Sequence, residues 1–339
     1  MTIKACIEKC LAGEDLTEQE AGAALEFIMT GQATDIQIAG LLIALRGKGE
    51  SVEEITGFAR TMREHAIKVT VHDHDAIDMC GTGGDGRGSF NISTVAALVA
   101  AGAGVTVAKH GNRSVSSRSG SADILAALGV NIQRSPGEIE ECINSVGIGF
   151  LFAPQFHPAM KFAAKPRVEL GVRTIFNILG PMTNPAGVRR QLVGSFSKDV
   201  ASLLVGVLRR LSAARACVVH SADGMDEISI AAPTTMFELT DLATVEESVI
   251  TPASFSLPTG TTGDMAGGTA EENAGLALQV LRGERTSARD VVIANAAVGI
   301  YIGGKAGTLG EGAMMATQSI DSGKALSTLN KLIEFTNRP

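Results

Sequence analysis

The sequence predicts an α/β protein in which a small all-helical domain is joined to a larger α/β domain with a mostly parallel central sheet. Three observations lead to this fold class. Apolar stretches with helix-start signals fill residues 1–70, short β-branched strands alternate with Ala- and Leu-rich helices from residue 76 onward, and helical character returns at about 165–190 before the alternation resumes. Strand–helix alternation is typical of parallel sheets, since each parallel crossover needs a connecting segment, usually a helix.

The helical region carries recognisable N-terminal signals. Thr17–Glu20 and Ser51–Glu54 both match the capping box, in which a Ser or Thr and a Glu three residues later satisfy each other's free backbone N–H groups. Asp35 is expected to cap an apolar helix, Ile36–Arg46, that ends at Gly47. We therefore expect three or four helices before residue 70.

The predicted strands are short runs of apolar and β-branched residues: Ala76–Cys80, Val105–Ala108, Ile148–Phe152, Gln191–Phe196 and Ala216–Val219. Apolar helices are expected near the C-terminus: Glu271–Leu281, Ser287–Tyr301 and Ala325–Thr336. The helical character of about 165–190 implies that this segment packs with residues 1–70 as part of the helical domain. We therefore expect two discontinuous domains: a helical one from residues 1–70 with about 165–190, and an α/β one from residues 71–164 with 191–339.

Composition and charge exclude several classes of protein. The formal net charge of −7 argues against a nucleic-acid-binding surface, which normally carries clustered Lys and Arg. Residues 1–30 show no signal peptide, and the most apolar run, Ile36–Leu45, is far shorter than the roughly 20 residues that span a bilayer. We therefore expect a cytoplasmic protein that binds neither nucleic acid nor membrane. Its five dispersed cysteines are not expected to form disulfides.

A glycine-rich turn, Gly81–Gly86, follows the first predicted strand directly. It satisfies G-x-G-x-x-G, but a dinucleotide site would need a second strand ending in an acidic residue, and Val105–Ala108 is followed by Lys109. Residues without Cβ let several backbone N–H groups converge on phosphate oxygens. The turn therefore favours phosphate binding.

Two further polar segments extend this phosphate-binding pattern. Asn91, Ser93 and Thr94 are expected to place amide and hydroxyl donors at the positive end of the helix Val95–Ala101, whereas a simple helix cap would explain Ser93 alone. After the strand at 105–108 comes a polar loop with two cations and several serines: Lys109, Arg113, Ser114, Ser116, Ser117, Ser119 and Ser121. Open α/β sheets bind ligands at the carboxyl ends of their strands, so these loops should share one site.

An acidic segment, Asp223–Glu227, follows the strand at 216–220 and should lie at the same sheet edge. Carboxylates and water are the ligands that Mg²⁺ prefers, and Mg²⁺ offsets charge that develops on a departing pyrophosphate. An acidic surface turn is the alternative interpretation. The position after a strand favours the metal site.

Five motifs together resemble the anthranilate phosphoribosyltransferase family in order and spacing, nearly end to end: GTGGDG (81–86), SFNIST (89–94), KHGNRSVSSRSGSAD (109–123), RVELGVRTIFNILGPMTNP (167–185) and DGMDEIS (223–229). The resemblance implies a tryptophan-biosynthetic enzyme that joins anthranilate to 5-phosphoribosyl 1-pyrophosphate with Mg²⁺. It also implies a homodimer that associates through the helical domain and an active site between the domains.

The same resemblance implies the site residues. Those for 5-phosphoribosyl 1-pyrophosphate are Gly81, Gly84, Asp85, Ser89, Asn91, Ile92, Ser93, Thr94, Lys109, His110, Gly111, Asn112, Arg113, Ser114, Val115, Ser116, Ser117 and Ser121. Those for anthranilate are Gly81, Asn112 and Arg167, and the Mg²⁺ ligands are Ser93, Asp226 and Glu227.

No general base is required, because the attacking aromatic amine is neutral near pH 7, although His110 or a water could take the proton afterwards. Two alternatives remain at this stage. A pyrimidine nucleoside phosphorylase-like enzyme would share the architecture and use inorganic phosphate, but its central motifs differ. A non-catalytic nucleic-acid-binding relative would need a basic groove, whereas this chain is acidic.

Overall fold

The computed structural model describes residues 2–114, 118–240 and 244–339, and within these ranges seven strands form one central sheet. The strands are β1 Ile77–Gly81, β2 Val107–Gly111, β3 Ile148–Phe152, β4 Arg190–Gly194, β5 Arg215–Ser221, β6 Thr234–Leu239 and β7 Val245–Ile250. Their order across the sheet is β3-β2-β1-β4-β5-β6-β7. The first five are parallel, and β6 and β7 are antiparallel. The predicted fold class, with a mostly parallel sheet, is confirmed.

The α-helices of the described residues are α1 Ile3–Leu11, α2 Glu18–Met29, α3 Asp35–Lys48, α4 Val52–His65, α5 Ile92–Gly102, α6 Ser121–Ala127, α7 Pro136–Val146, α8 Ala153–Phe156, α9 Lys161–Leu170, α10 Phe176–Leu179, α11 Lys198–Arg210, α12 Ala270–Leu281, α13 Ser287–Ile302, α14 Leu309–Asp321 and α15 Lys324–Thr336. In these ranges no helix combines the length and the apolar character needed to cross a bilayer.

The first four helices show which local signals act as caps. Both predicted capping boxes, at Thr17 and Ser51, are present. The predicted Asp35 cap is wrong, because the hydroxyl of Thr34 accepts the Gln37 N–H and places Asp35 in the first turn. The helix also continues past the expected stop at Gly47 and ends before Gly49, whose φ of +93° suits glycine.

Several strand boundaries differ from the prediction. Lys109, His110 and Gly111 lie inside β2 rather than in the loop after it, because the parallel ladder continues to the pair Gly111↔Phe152. The fourth strand ends at Gly194 instead of Phe196. The antiparallel strands β6 and β7 were not predicted.

An apolar core joins the first four helices to the segment 163–182 and to the sheet. Phe58 of α4 packs edge-on against Phe176 of α10, with ring centroids 6.1 Å apart, and the same core includes Leu204 of α11 and Val218 of β5. A second core lies around β1, α5 and α13, and most of α13 is buried within it. The helical segments are thus packed directly onto one flank of the sheet.

The path of the chain creates a crevice at one point of the sheet. From β1 the chain moves outward through β2 and β3, then returns through residues 153–189 to form β4 on the other side of β1. Loops after β1 and β4 therefore depart in opposite directions from neighbouring strand ends. Open α/β sheets bind ligands at such a switch point.

Candidate active site

The switch-point crevice is closed on one side by the acidic segment 223–229, which lies directly across the ends of β1 and β4. Gly81 and Gly194 are paired in register at these ends. A Cβ added to Gly194 would lie 1.6 Å from the Asp226 carbonyl oxygen, and one added to Gly81 would lie 2.5 Å from Asp226 Oδ2. Only glycine at these two positions lets the acidic segment approach this closely.

The structure brings the three predicted metal ligands together. Asp226 is buried, and its Oδ2 accepts the N–H of Gly83 at 2.8 Å. Glu227 Oε1 accepts the N–H of Ser93, in the first turn of α5, at 3.1 Å. The backbone N–H of Asp226 donates to Asp85 Oδ2 at 3.4 Å, so a third carboxylate adjoins the pair.

Burial and repulsion by neighbouring carboxylates raise the pKa values of both carboxyls of the acidic pair. Burial raises the pKa of the Asp226 carboxyl, and the negative charge of Asp85 raises it further. Burial and the neighbouring Asp226 raise the pKa of Glu227, against an opposing effect of Lys109. Within the described ranges, no group of three or more His, Cys, Asp or Glu side chains is arranged to hold a metal alone. The carboxylates of Asp226 and Glu227 and the hydroxyl of Ser93 are oxygen ligands of the kind that Mg²⁺ prefers, and Mg²⁺ usually keeps several waters and binds substrate phosphate as well.

Lys109 supplies a buried positive charge beneath the glycine-rich turn. Its Nζ donates to the Met79 carbonyl at 2.5 Å and to Ser93 Oγ at 3.5 Å. The side chain thus lies between β1 and the start of α5. Next to it, the buried hydroxyl of Thr94 makes no hydrogen bond within the described residues, and Ile92 is buried at the start of α5.

A buried carboxylate in β1, which the sequence reasoning missed, organises the neighbouring strand. Asp78 accepts the backbone N–H of Met79 at 2.8 Å, the backbone N–H of His110 at 3.1 Å and Asn184 Nδ2 at 2.8 Å. Asn184 Nδ2 also donates to the Ala108 carbonyl at 2.8 Å. Burial raises the pKa of Asp78, and Lys109 opposes this. An acidic residue inside an otherwise apolar strand was the available signal.

His110 is held as a neutral imidazole. Its Nδ1 lies 3.2 Å from the Gly180 carbonyl, and its ring lies beside that of His157, with centroids 5.2 Å apart. Burial, with a smaller effect of His157, lowers the pKa of His110 to about 3. A carbonyl partner requires the proton on Nδ1, which leaves Nε2 as a lone-pair acceptor, and Nε2 makes no hydrogen bond in the described part of the chain.

Asn91 and Ser89 have contacts that differ from simple helix capping. Asn91 is the N-cap of α5 but makes no capping bond through its side chain. Its Nδ2 donates to the Ser119 carbonyl at 3.1 Å, and its Oδ1 accepts from Asn273 Nδ2 at 3.0 Å. Asn91 therefore ties the loop after β1 to the loop after β2. Ser89 pairs with Ala266 in an isolated bridge and lines a cavity of about 270 Å³ beside the acidic segment.

The loop after β2 is organised by Asp123. This carboxylate accepts the N–H of Gly120 at 2.9 Å and of Ser114 at 3.1 Å, and it pairs with Arg113 Nη1 at 2.8 Å. Burial acts to raise the pKa of Asp123, but these partners outweigh it and lower the pKa. Helix α6 begins directly after this loop, at Ser121.

Ser121 and Gly111 lie close together at the two ends of this loop. Ser121 Oγ donates to the Asn112 carbonyl at 3.2 Å, and a Cβ on Gly111 would lie 2.2 Å from Ser121 Oγ. The predicted contacts at Val115, Ser116 and Ser117 lie outside the described residues.

Arg167 lies on α9. Its guanidinium lies over the Phe176 ring, 5.0 Å from the centroid, and burial lowers its pKa. Among the described residues it forms no ion pair, and no hydrogen bond joins it to Gly81 or Asn112. The preceding Pro166 is buried inside the same helix. Arg167 is therefore not linked by a hydrogen bond to the other predicted anthranilate residues in the described part of the chain.

Comparison with known proteins identifies relatives over nearly the whole chain. A glycosyl transferase family model for the helical bundle domain matches residues 4–66, and one for the a/b domain matches residues 73–326. The chain is 53% identical to the anthranilate phosphoribosyltransferase of Pelotomaculum thermopropionicum, over 98% of this chain and 96% of that protein. Identity to the enzyme of the same name from Moorella thermoacetica is 52%, over 98% of each chain.

Solved structures show the same likeness. Anthranilate phosphoribosyltransferase from Thermus thermophilus superposes with a TM-score of 0.93 at 42% identity, over 98% of this chain and 99% of that chain. The Saccharomyces cerevisiae enzyme in complex with PRPP and Mg superposes with a TM-score of 0.91 at 27% identity, over 98% of this chain and 97% of that chain.

Proposed function

This chain belongs to the anthranilate phosphoribosyltransferase family, and we propose on that premise that it transfers the phosphoribosyl group of 5-phosphoribosyl 1-pyrophosphate to the amine of anthranilate. The products are N-(5-phosphoribosyl)anthranilate and pyrophosphate, and the step belongs to tryptophan biosynthesis. One observation carries the proposal: Asp226 and Glu227 lie across the glycine-lined strand ends, against the glycine-rich turn and the first turn of α5.

We propose that the donor substrate lies along the loops after β1 and β2. Its residues are Gly81, Gly84, Asp85, Ser89, Asn91, Ile92, Ser93, Thr94, Lys109, His110, Gly111, Asn112, Arg113, Ser114 and Ser121, with Val115, Ser116 and Ser117 added from the family resemblance alone. Buried Lys109 and the Thr94 hydroxyl, which makes no hydrogen bond within the described residues, support this placement, because a bound phosphate would give both buried groups a polar partner. Arg113 would have to exchange Asp123 for phosphate to contribute charge.

Ser93, Asp226 and Glu227 would hold Mg²⁺, which when bound neutralises charge on the departing pyrophosphate. The yeast relative was solved with PRPP and Mg, which supports Mg²⁺ as the cofactor here. The raised pKa values of both carboxyls fit this role, since a divalent cation would offset both the burial and the repulsion between carboxylates that raise them.

The acceptor side follows from the chemistry of an aromatic amine. The amine is neutral near pH 7, so the enzyme has to orient its lone pair but does not have to deprotonate it. The carboxylate of anthranilate requires a cationic partner. Arg167 offers a guanidinium that lies over Phe176 and forms no ion pair within the described residues, and Gly81 and Asn112 complete the proposed set. A histidine with a pKa near 3 is a weak base, so we assign the departing proton to water rather than to His110.

We also propose the domain division expected from the sequence, 1–70 with about 165–190 against 71–164 with 191–339, and a homodimer formed through the helical part. Four large apolar side chains on the helical segments support a dimer surface: Leu11, Ile36, Val168 and Val172 are 73%, 84%, 80% and 53% exposed. Light scattering of the purified chain measures its mass in solution. The mass of a monomer would contradict the proposed dimer. A cytoplasmic location, with no nucleic-acid partner, stays a prediction.

The decisive experiment is the loss of anthranilate fluorescence when 5-phosphoribosyl 1-pyrophosphate and Mg²⁺ are added together. We expect turnover in the complete mixture and none when Mg²⁺ or the donor is withheld. A parallel incubation with a pyrimidine nucleoside and inorganic phosphate tests the phosphorylase alternative. Phosphorolysis there, without loss of anthranilate in the first mixture, would replace our proposal.

A further inference from the structure

We propose that Arg173 is a positioning residue that holds the glycine-rich turn in its pyrophosphate-binding conformation, an inference that rests on the proposed function. Arg173 lies in the short connection between α9 and α10 and therefore belongs to the helical segment. It was not among the predicted site residues. It nevertheless joins this segment to the turn after β1.

Two contacts define its position. The Nη2 of Arg173 donates a hydrogen bond to the carbonyl of Gly84, in the centre of the glycine-rich turn. Its guanidinium also stacks on Phe196, 4.4 Å from the ring centroid, in the loop after β4. One planar cation thus contacts the loops on both sides of the switch point.

The turn it contacts depends on precise backbone placement. Gly84 has a φ of +74°, and a Cβ added there would lie 3.2 Å from Arg173 Nη2. On the other side, the N–H of Thr82 donates to the Gly194 carbonyl at 2.8 Å, and Phe196 N–H donates to Thr82 Oγ1 at 3.3 Å. Arg173 adds to these two hydrogen bonds by fixing the carbonyl of Gly84, so that the neighbouring N–H groups of the turn stay directed toward an anion.

The charge of Arg173 adds to the effect of its hydrogen bond. Within the described ranges it forms no ion pair with a carboxylate, in contrast to Arg113, which is paired with Asp123. An exposed guanidinium beside a turn that binds pyrophosphate raises the local positive potential. Because Arg173 belongs to the connection before α10, its hydrogen bond to Gly84 also links the position of the helical segment to the binding of pyrophosphate at the turn.

The inference predicts a selective effect on the donor substrate. Replacing Arg173 by Gln removes the charge and the stacking, and we expect the KM for 5-phosphoribosyl 1-pyrophosphate to rise on the order of 10-fold, as for loss of one charge-assisted hydrogen bond. The KM for anthranilate should stay within about 2-fold, because no proposed acceptor contact is altered. Phe196→Leu should give a smaller shift in the same direction.

The matched control is Arg189→Gln. Arg189 is also an exposed arginine bound to one backbone carbonyl, that of Ser212, but it lies at the opposite end of β4. Kinetics are measured on the full chain, with urea unfolding of each variant alongside. A wild-type enzyme without turnover would refute the proposed function instead of this inference.

Given wild-type turnover, three outcomes decide the role of Arg173. A donor KM that rises in Arg173→Gln and is partly restored in Arg173→Lys supports it. An unchanged donor KM overturns it. Equal rises in both KM values with lower stability would make Arg173 a general structural contact and would overturn it as well.

Discussion

Substituting Gly194 by alanine is the sharpest perturbation of the site that the fold allows. The new Cβ would lie 1.6 Å from the carbonyl oxygen of Asp226, whereas real Cβ contacts essentially never fall below 3.0 Å. Strand β4 cannot yield, because it is paired in parallel with β1 on one side and β5 on the other. The acidic segment must therefore retreat.

The size of the effect follows from that displacement. The segment has to move by more than about 1 Å, and a misplacement of this size can lower a rate on the order of 100-fold. Because Asp226 and Glu227 move with it, we expect kcat/KM to fall by that order and the Mg²⁺ concentration for half-maximal activity to rise. Overpacking should lower the free energy of unfolding by roughly 1–3 kcal/mol.

The assay is anthranilate fluorescence at saturating donor over a titration of Mg²⁺, with urea unfolding of the same preparations. Gly310→Ala is the control, since it lies on α14 with nothing within 4 Å of the added Cβ. This control should keep wild-type kinetics. A Gly194→Ala enzyme with an unchanged Mg²⁺ titration would refute the reasoning, because it would show that the carboxylates do not depend on this close approach.

Three further predictions concern individual side chains. Arg167→Ala should raise the anthranilate KM by the equivalent of about 2–4 kcal/mol while the donor KM stays nearly constant, and unchanged anthranilate kinetics would remove Arg167 from the site. The double variant Asp226→Asn, Glu227→Gln keeps both shapes and should weaken the Mg²⁺ dependence of activity; an identical titration would exclude these ligands. His110 has a folded pKa of about 3 against 6.5 for an ordinary histidine, so the unfolded chain binds its proton first and stability falls as pH drops below 6.5. Between pH 7 and 5 this effect should lower the free energy of unfolding of the wild-type protein by roughly 2 kcal/mol, as measured by urea unfolding. The His110→Asn variant should lack this loss. Equal losses in both proteins would contradict the burial of His110.

The region of the candidate site could be located from the sequence because its parts follow a local rule. Polar loops that come directly after parallel strands meet at one sheet edge, so Gly81, Ser93 and Asp226 could be placed together before any tertiary contact was seen. The capping boxes at Thr17 and Ser51 were equally readable, since the residues involved are three positions apart. In both cases the information lies within a few residues of chain.

The errors also have a local origin. Thr34 and Asp35 are both good caps, and only the hydrogen bond from the Gln37 N–H decides between them. The end of β2 depends on pairing with β3, so a polar composition at 109–111 suggested a loop where the ladder continues. Strands β6 and β7 likewise owe their placement to antiparallel pairing, of β6 with β5 and of β7 with β6.

By itself the sequence determined the fold class, the family and the kind of chemistry, because periodicity, capping and strand-end motifs are written in short stretches of chain. Only the tertiary structure decided how the site is held. Asp78 binds Asn184 across 106 positions, Gly83 binds Asp226 across 143 and Arg173 binds Gly84 across 89. No short sequence motif identifies such partners as a pair. Their contact arises because whole helices and strands pack together, not because of the residues between them in the chain.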